Sequence, residues 1–74
     1  MKNTYEPAYR TMIDKLVEHR KASGLTQQDV AHRLGMRRSI YGKVETYDRR
    51  IDVIETQKIC RILGIKVRDV LEGE

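Results

Sequence analysis

Thr26-Gln27-Gln28-Asp29-Val30-Ala31-His32-Arg33-Leu34-Gly35-Met36-Arg37-Arg38-Ser39-Ile40-Tyr41-Gly42-Lys43-Val44-Glu45 decides the fold. Thr26 is a good N-cap, because its hydroxyl can accept an otherwise orphaned amide of the first turn, and Asp29 three residues on complements the helix dipole. The spacing predicts a helix over 27–34. Gly35 stops it, and a second helix starts within three residues and runs over 38–45, so residues 27–46 read as a helix–turn–helix unit rather than one long helix. Two helices crossing at about 100° through a tight turn need a small side chain at closest approach and a turn residue tolerant of positive φ. Ala31 and Gly35 supply them. Val30, Leu34, Met36, Tyr41 and Val44 then face a shared core. The other face of the second helix carries Arg37, Arg38, Ser39, Gly42 and Lys43, a set rich in donors that must meet water or a ligand.

Upstream, Tyr9, Ile13, Leu16, Val17 and Arg20 follow the i, i+4, i+7, i+8, i+11 spacing of one helix face. They predict a helix over 7–22, with Pro7 in the first turn, where its missing N–H costs nothing, and Gly24 just past the end. Downstream, Asp52 and Glu55 make a capping-box start and Gly64 marks a stop, so a fourth helix is expected over 53–63. Its core stripe reads Val53, Ile59, Cys60 and Leu63, with Ile54 and Ile62 off the stripe. A short fifth helix is expected over 67–71, its polar end Glu72-Gly73-Glu74 expected to fray. No run alternates with period two, so no strand is predicted. The fold class is all-α: a compact five-helix bundle forming one domain over residues 1–74.

Seventy-four residues support one small core, which excludes a two-domain enzyme. The longest stretch without a charged side chain is the seven residues Ala22–Gln28, against the roughly 20 apolar residues of a bilayer-spanning helix. Met1–Pro7 is polar and does not read as a signal peptide, so a cytoplasmic protein is expected. The single cysteine, Cys60, reads as core packing rather than a redox switch. With His19 and His32 it makes no metal cluster, and neither cofactor nor metal is expected. No glycine-rich phosphate loop is present and no nucleophile is paired with a base, so an enzyme is not expected.

The net charge of +4 is localised: from Arg33 to Arg50 six basic residues face two acidic ones, and the remaining nine of each sign cancel. A neutral body with one basic segment is the footprint of a protein that docks a polyanion through one face.

The chain resembles the Cro/repressor-type, or Xre-like, helix-turn-helix family over Ile13–Leu71. The likeness lies in Leu16 with Arg20, Gly24-Leu25-Thr26-Gln27, Val30-Ala31 with Leu34-Gly35, Val44-Glu45, and Ile62-Leu63-Gly64-Ile65. Arg49-Arg50-Ile51-Asp52-Val53-Ile54-Glu55 is similar to a subgroup with an arginine pair before helix 4. The resemblance implies a lambda-repressor-like bundle that binds duplex DNA, typically as a homodimeric transcriptional regulator on a palindromic operator, repression being the expected outcome, with helix 3 in the major groove. Matched position by position, Arg37, Arg38, Ser39 and Lys43 fall at base-contacting positions, and Gln27 at a phosphate or flanking-base position. Arg can give two parallel hydrogen bonds to guanine, so guanine-containing half-sites are favoured. Arg33, Arg49 and Arg50 are cast as phosphate contacts, which hold register without reading sequence. Arg20 and Glu45 match a structural ion pair between helix 1 and the end of helix 3.

Three positions depart from the family pattern. Arg37 stands where a capping Ser or Thr is usual. Gly42 sits inside helix 3, either to admit close approach of DNA or as tolerated drift. Tyr47 replaces a terminal Gly, where positive φ would strain it, so the Tyr47-Asp48-Arg49 loop is expected to differ in shape. Ile54, Ile62 and Val70 make helix 4 and its neighbour apolar on more sides than one core needs, which points to an interface. A homodimer face is the simpler reading; the alternative is an antitoxin-type module that holds a partner protein such as a toxin.

Overall fold

The structure, a computed structural model, describes residues 6–71. Five helices follow in order: α1 (Pro7–Ala22), α2 (Gln27–Leu34), α3 (Arg38–Glu45), α4 (Val53–Leu63) and α5 (Arg68–Leu71). The first four have the bounds expected from the sequence, and α5 is one turn. The expected fraying at Glu72-Gly73-Glu74 lies outside the described residues. Among the described residues no helix is long and apolar enough to cross a membrane.

Local signals account for these boundaries. At the start of α2, Thr26 Oγ1 accepts from the Asp29 amide at 3.0 Å while the Asp29 carboxylate accepts from the Thr26 amide at 2.9 Å. Asp52 and Glu55 make the same reciprocal pair at the start of α4, at 2.7 and 3.2 Å. Each box satisfies two amides that the helix itself leaves orphaned. Arg37 precedes α3 with no side-chain cap, so α3 enters without that support.

All four longer helices close with one hydrogen-bond pattern, in which the chain turns left-handed and an amide reaches five residues back. Its members are Leu25 to Arg20 (3.2 Å), Met36 to Ala31 (2.9 Å), Asp48 to Lys43 (2.8 Å) and Ile65 to Cys60 (3.0 Å). Glycine holds the left-handed position in three of them. In α3 it is Tyr47, at φ 69°. The expectation that this loop would differ in shape is therefore corrected: Tyr47 takes up the backbone conformation a glycine would have, at a strain of about 1–2 kcal/mol. Its side chain offsets this by donating a hydrogen bond to the Asp14 carboxylate and by lying beneath the Arg10 guanidinium, 4.6 Å from the ring centroid. Both partners are on α1, so the strained turn is tied to the longest helix.

The core comprises Tyr9, Met12, Ile13, Leu16, Val30, Ala31, Tyr41, Val44, Ile51, Ile59, Cys60, Leu63 and Val70, with Leu34, Met36 and Ile62 packed on its margin. Two apolar positions depart from expectation. Val53, placed by its spacing in the α4 stripe, is 69 % exposed, whereas Ile51 is 6 % exposed. Val53 is the first residue of α4, and the incoming loop lays Ile51 over that end of the core. Ile51 and the buried Thr56 occupy the two positions of a hydrophobic staple, and the Ile51 amide donates to Tyr9 Oη at 3.1 Å. Val70 was expected at a dimer face but is 2 % exposed, because α5 packs along α1 and turns that side chain into the core.

Gly42 lies within α3 facing α2. A Cβ added there would meet Gln27 Oε1 at 3.6 Å, an ordinary contact. Gly42→Ala should therefore gain up to about 1 kcal/mol of helix propensity without a clash, and urea unfolding should show a higher midpoint than wild type.

Candidate nucleic-acid interface

Arg37, Arg38, Ser39 and Lys43 all lie exposed at the start and along the outer face of α3, the face opposite Tyr41 and Val44 in the core. None of their side chains has an ion-pair or hydrogen-bond partner among the described residues. Three cationic side chains and a hydroxyl thus project from one short helix with their donors unspent. The helix beneath them is held by its two core residues, so the display is rigid at its base.

The remaining expected contacts are held within the chain in different ways. Gln27 Nε2 donates to Glu45 Oε1 at 2.8 Å, which ties the start of α2 to the end of α3 and leaves Gln27 Oε1 beside Gly42. Arg49 pairs with Glu55, Nη2 to Oε2 at 3.1 Å and Nη1 to Oε1 at 3.4 Å. Since Glu55 also caps α4, Arg49 anchors the loop between α3 and α4, and its charge is partly spent there. Arg50 is exposed, its guanidinium 4.5 Å from the centroid of the Tyr9 ring, a cation–π contact that helps to fix its direction. Arg33 does not join the α3 set. It lies six residues beyond Gln27, so about 9 Å further along α2 and turned by about 120°. There it lines a groove with Lys58 and Arg61 of α4.

Beneath the α3 face lies the pair that fixes its orientation. Arg20 Nε donates to Glu45 Oε2 at 2.7 Å and Nη2 to Oε1 at 3.0 Å, while Nη1 donates to the Leu25 carbonyl at 2.9 Å. The two side chains are 9 % and 7 % exposed. The expected ion pair between helix 1 and the end of helix 3 is present as a bidentate bond. Sequence reasoning missed two further partners of Glu45, Gln27 and the Tyr41 hydroxyl. Burial alone would raise the Glu45 carboxyl, but the hydrogen bonds from Arg20, Gln27 and Tyr41 outweigh it and hold it below the usual carboxylate range. The Arg20 guanidinium is raised in turn, chiefly by its bond to Glu45. Tyr41 is pushed up by burial and by Glu45, so it stays a neutral donor.

The lowered Glu45 value gives a pH dependence of defined sign. An unfolded Glu titrates near pH 4.3, so Glu45 contributes its full stabilisation above that value and loses it as pH falls through the lower folded value. Wild type should lose stability over the acid interval below about pH 4.3, and Glu45→Gln should lose less over the same interval. Urea midpoints measured across that interval check this.

Residues 16–70 match the family described as Helix-turn-helix. This chain belongs to that family, in its Xre-like form. The family is one of DNA-binding transcription regulators, not of enzymes. Among solved structures, the chain is similar to an XRE-family like protein from Pseudomonas syringae pv. tomato str. DC3000, with 41 % identity and a TM-score of 0.80. The likeness covers 86 % of this chain and 78 % of that one. No curated protein matches. In this helix-turn-helix protein the Gly35 turn joins α2 to α3, and the buried Arg20–Glu45 bond ties α1 to the end of α3.

Proposed function

We propose that this protein reads a palindromic operator as a homodimer, with α3 of each subunit in the major groove, and represses transcription by occupying that site. The observation that carries it is the donor set Arg37, Arg38, Ser39 and Lys43 on one face, without a partner among the described residues. Arg37, Arg38 and Lys43 reach guanine N7 and O6, and Ser39 adapts to either acceptor or donor edges. Arg50, and Gln27 through the second hydrogen of the Nε2 that donates to Glu45, contact the flanking backbone, with Arg49 holding the loop that carries Arg50. A dimer places two such helices half-sites apart, about 10–10.5 base pairs centre to centre.

Selection from a random duplex library tests this directly. Enrichment of a two-fold site with guanine in each half, at that spacing, is the expected result; enrichment of no sequence would end the proposal that α3 reads bases.

The self-association surface is supported by Ile54, which is 53 % exposed on α4, with Ile62 half-buried two turns further along the same face. Ile54→Lys should sediment as a folded monomer and bind the selected operator at least about tenfold more weakly than wild type, since the second half-site is no longer engaged cooperatively. The antitoxin-type reading instead predicts a wild-type monomer that only a partner protein such as a toxin brings to a larger mass.

A further inference from the structure

On α4, Ile54, Lys58, Arg61 and Ile62 recur at i, i+4, i+7 and i+8, the spacing of one helix face. That face bounds the groove against the last turn of α2, whose walls are Arg33, Leu34, Lys58, Arg61 and Ile62. Leu34 and Ile62 are half-buried and form an apolar floor, while the three cations are exposed around it. Among the described residues no carboxylate lines the groove. Asp29, close enough to Arg33 to feel its charge, is already committed to Thr26.

An apolar floor ringed by cations does not match a nucleic-acid backbone, to which Leu34 and Ile62 have nothing to offer. It matches an acidic peptide segment that also carries an apolar side chain. The chain contains such a segment in Leu71-Glu72-Gly73-Glu74. Leu71 is 62 % exposed, one residue after Val70 anchors α5 in the core. The segment therefore starts from a fixed point, with an uncovered leucine, and its sequence supplies two carboxylates that complement the groove in charge.

We propose that Leu71, Glu72 and Glu74 of each copy dock in the Arg33–Lys58–Arg61 groove of a second copy, the leucine against Leu34 and Ile62 and the carboxylates toward the cations. The docking rests on the two-fold self-association proposed above and names what holds it. A two-fold axis makes the contact twice, so a short segment contributes two identical interactions to one dimer. Ile54, on the same α4 face, extends the apolar part of the contact.

Sedimentation equilibrium of the full chain tests it with two charge reversals, Lys58→Glu with Arg61→Glu in the groove, and Glu72→Lys with Glu74→Lys in the segment. Each reversal alone should dimerise at least about tenfold more weakly than wild type, because like charges then face each other. An equimolar mixture should regain association close to wild type, since the reversed segment meets the reversed groove and the native segment meets the native one. Recovery on mixing also shows that both variants are folded. Dimerisation of both variants at wild-type strength, or no recovery on mixing, would overturn the docking. If those variants stay dimeric while Ile54→Lys is monomeric, the homodimer stands and only the docking falls. A wild type that is monomeric throughout the micromolar range, as closure of the segment onto its own groove would give, overturns both.

Discussion

Arg20→Ala should destabilise the protein by about 3 kcal/mol, the low end of the cost of breaking a buried ion pair. The change removes three hydrogen bonds at once, two to Glu45 and one to the Leu25 carbonyl. It leaves a carboxylate whose side chain is 7 % exposed without its counter-charge. The figure stays at the low end because Gln27 and Tyr41 still donate to Glu45. A domain of this size has a total stability of about 4–11 kcal/mol, so the loss takes a large part of it. The double change Arg20→Met with Glu45→Leu should recover only part of the loss, because the buried Tyr41 hydroxyl then loses its acceptor at a cost of about 1–3 kcal/mol. Adding Tyr41→Phe should recover more. Urea unfolding of the series checks the order; a single variant as stable as wild type would mean that the pair carries no weight.

The second large effect is expected on DNA. Arg38→Ala and Lys43→Ala should each cost about 1–3 kcal/mol on the selected operator and relax the preference at one base pair, because a base-edge hydrogen bond is lost. Neither side chain has a partner among the described residues, so their removal should leave the melting temperature near that of wild type. Arg50→Ala should behave differently, weakening operator and random DNA alike and flattening the slope of log affinity against log salt by about one unit. It should also lower stability slightly, through the lost contact with the Tyr9 ring. Binding measured on both DNAs over a salt series separates the two patterns. If Arg38→Ala followed the Arg50→Ala pattern, α3 would be holding backbone and not reading bases.

The capping and turn residues explain why the helix boundaries were legible. Thr26 with Asp29, and Asp52 with Glu55, act within one turn of chain, so their geometry follows from sequence neighbours alone. Gly24, Gly35 and Gly64 act just as locally. The Arg20–Glu45 bond was legible for another reason: a charge on an apolar stripe needs a partner, and the family resemblance supplied it. Tyr47 was misread because its backbone cost is local while its compensation, Asp14 and Arg10, lies on a helix more than thirty residues away. Arg49 and Arg50 read as an undivided basic pair, yet one is bound to Glu55 and the other stacks on Tyr9. Only the fold shows that each arginine has its own contact within the chain.

The sequence by itself determined the five helices, their caps and the polar face of α3, because helix periodicity, caps and glycine turns are short-range and each is complete within about four residues. The tertiary structure alone decided which apolar side chains are buried where two segments meet at an element end. Val53 and Ile51 are two residues apart, and the approach of the loop to the end of α4 sends one to solvent and the other to the core. Packing of α5 on α1 likewise claims Val70, and the meeting of α2 with α4 gathers Arg33, Lys58 and Arg61 around one groove. Burial and charge clustering depend on where distant segments meet, and no window of sequence contains that distance.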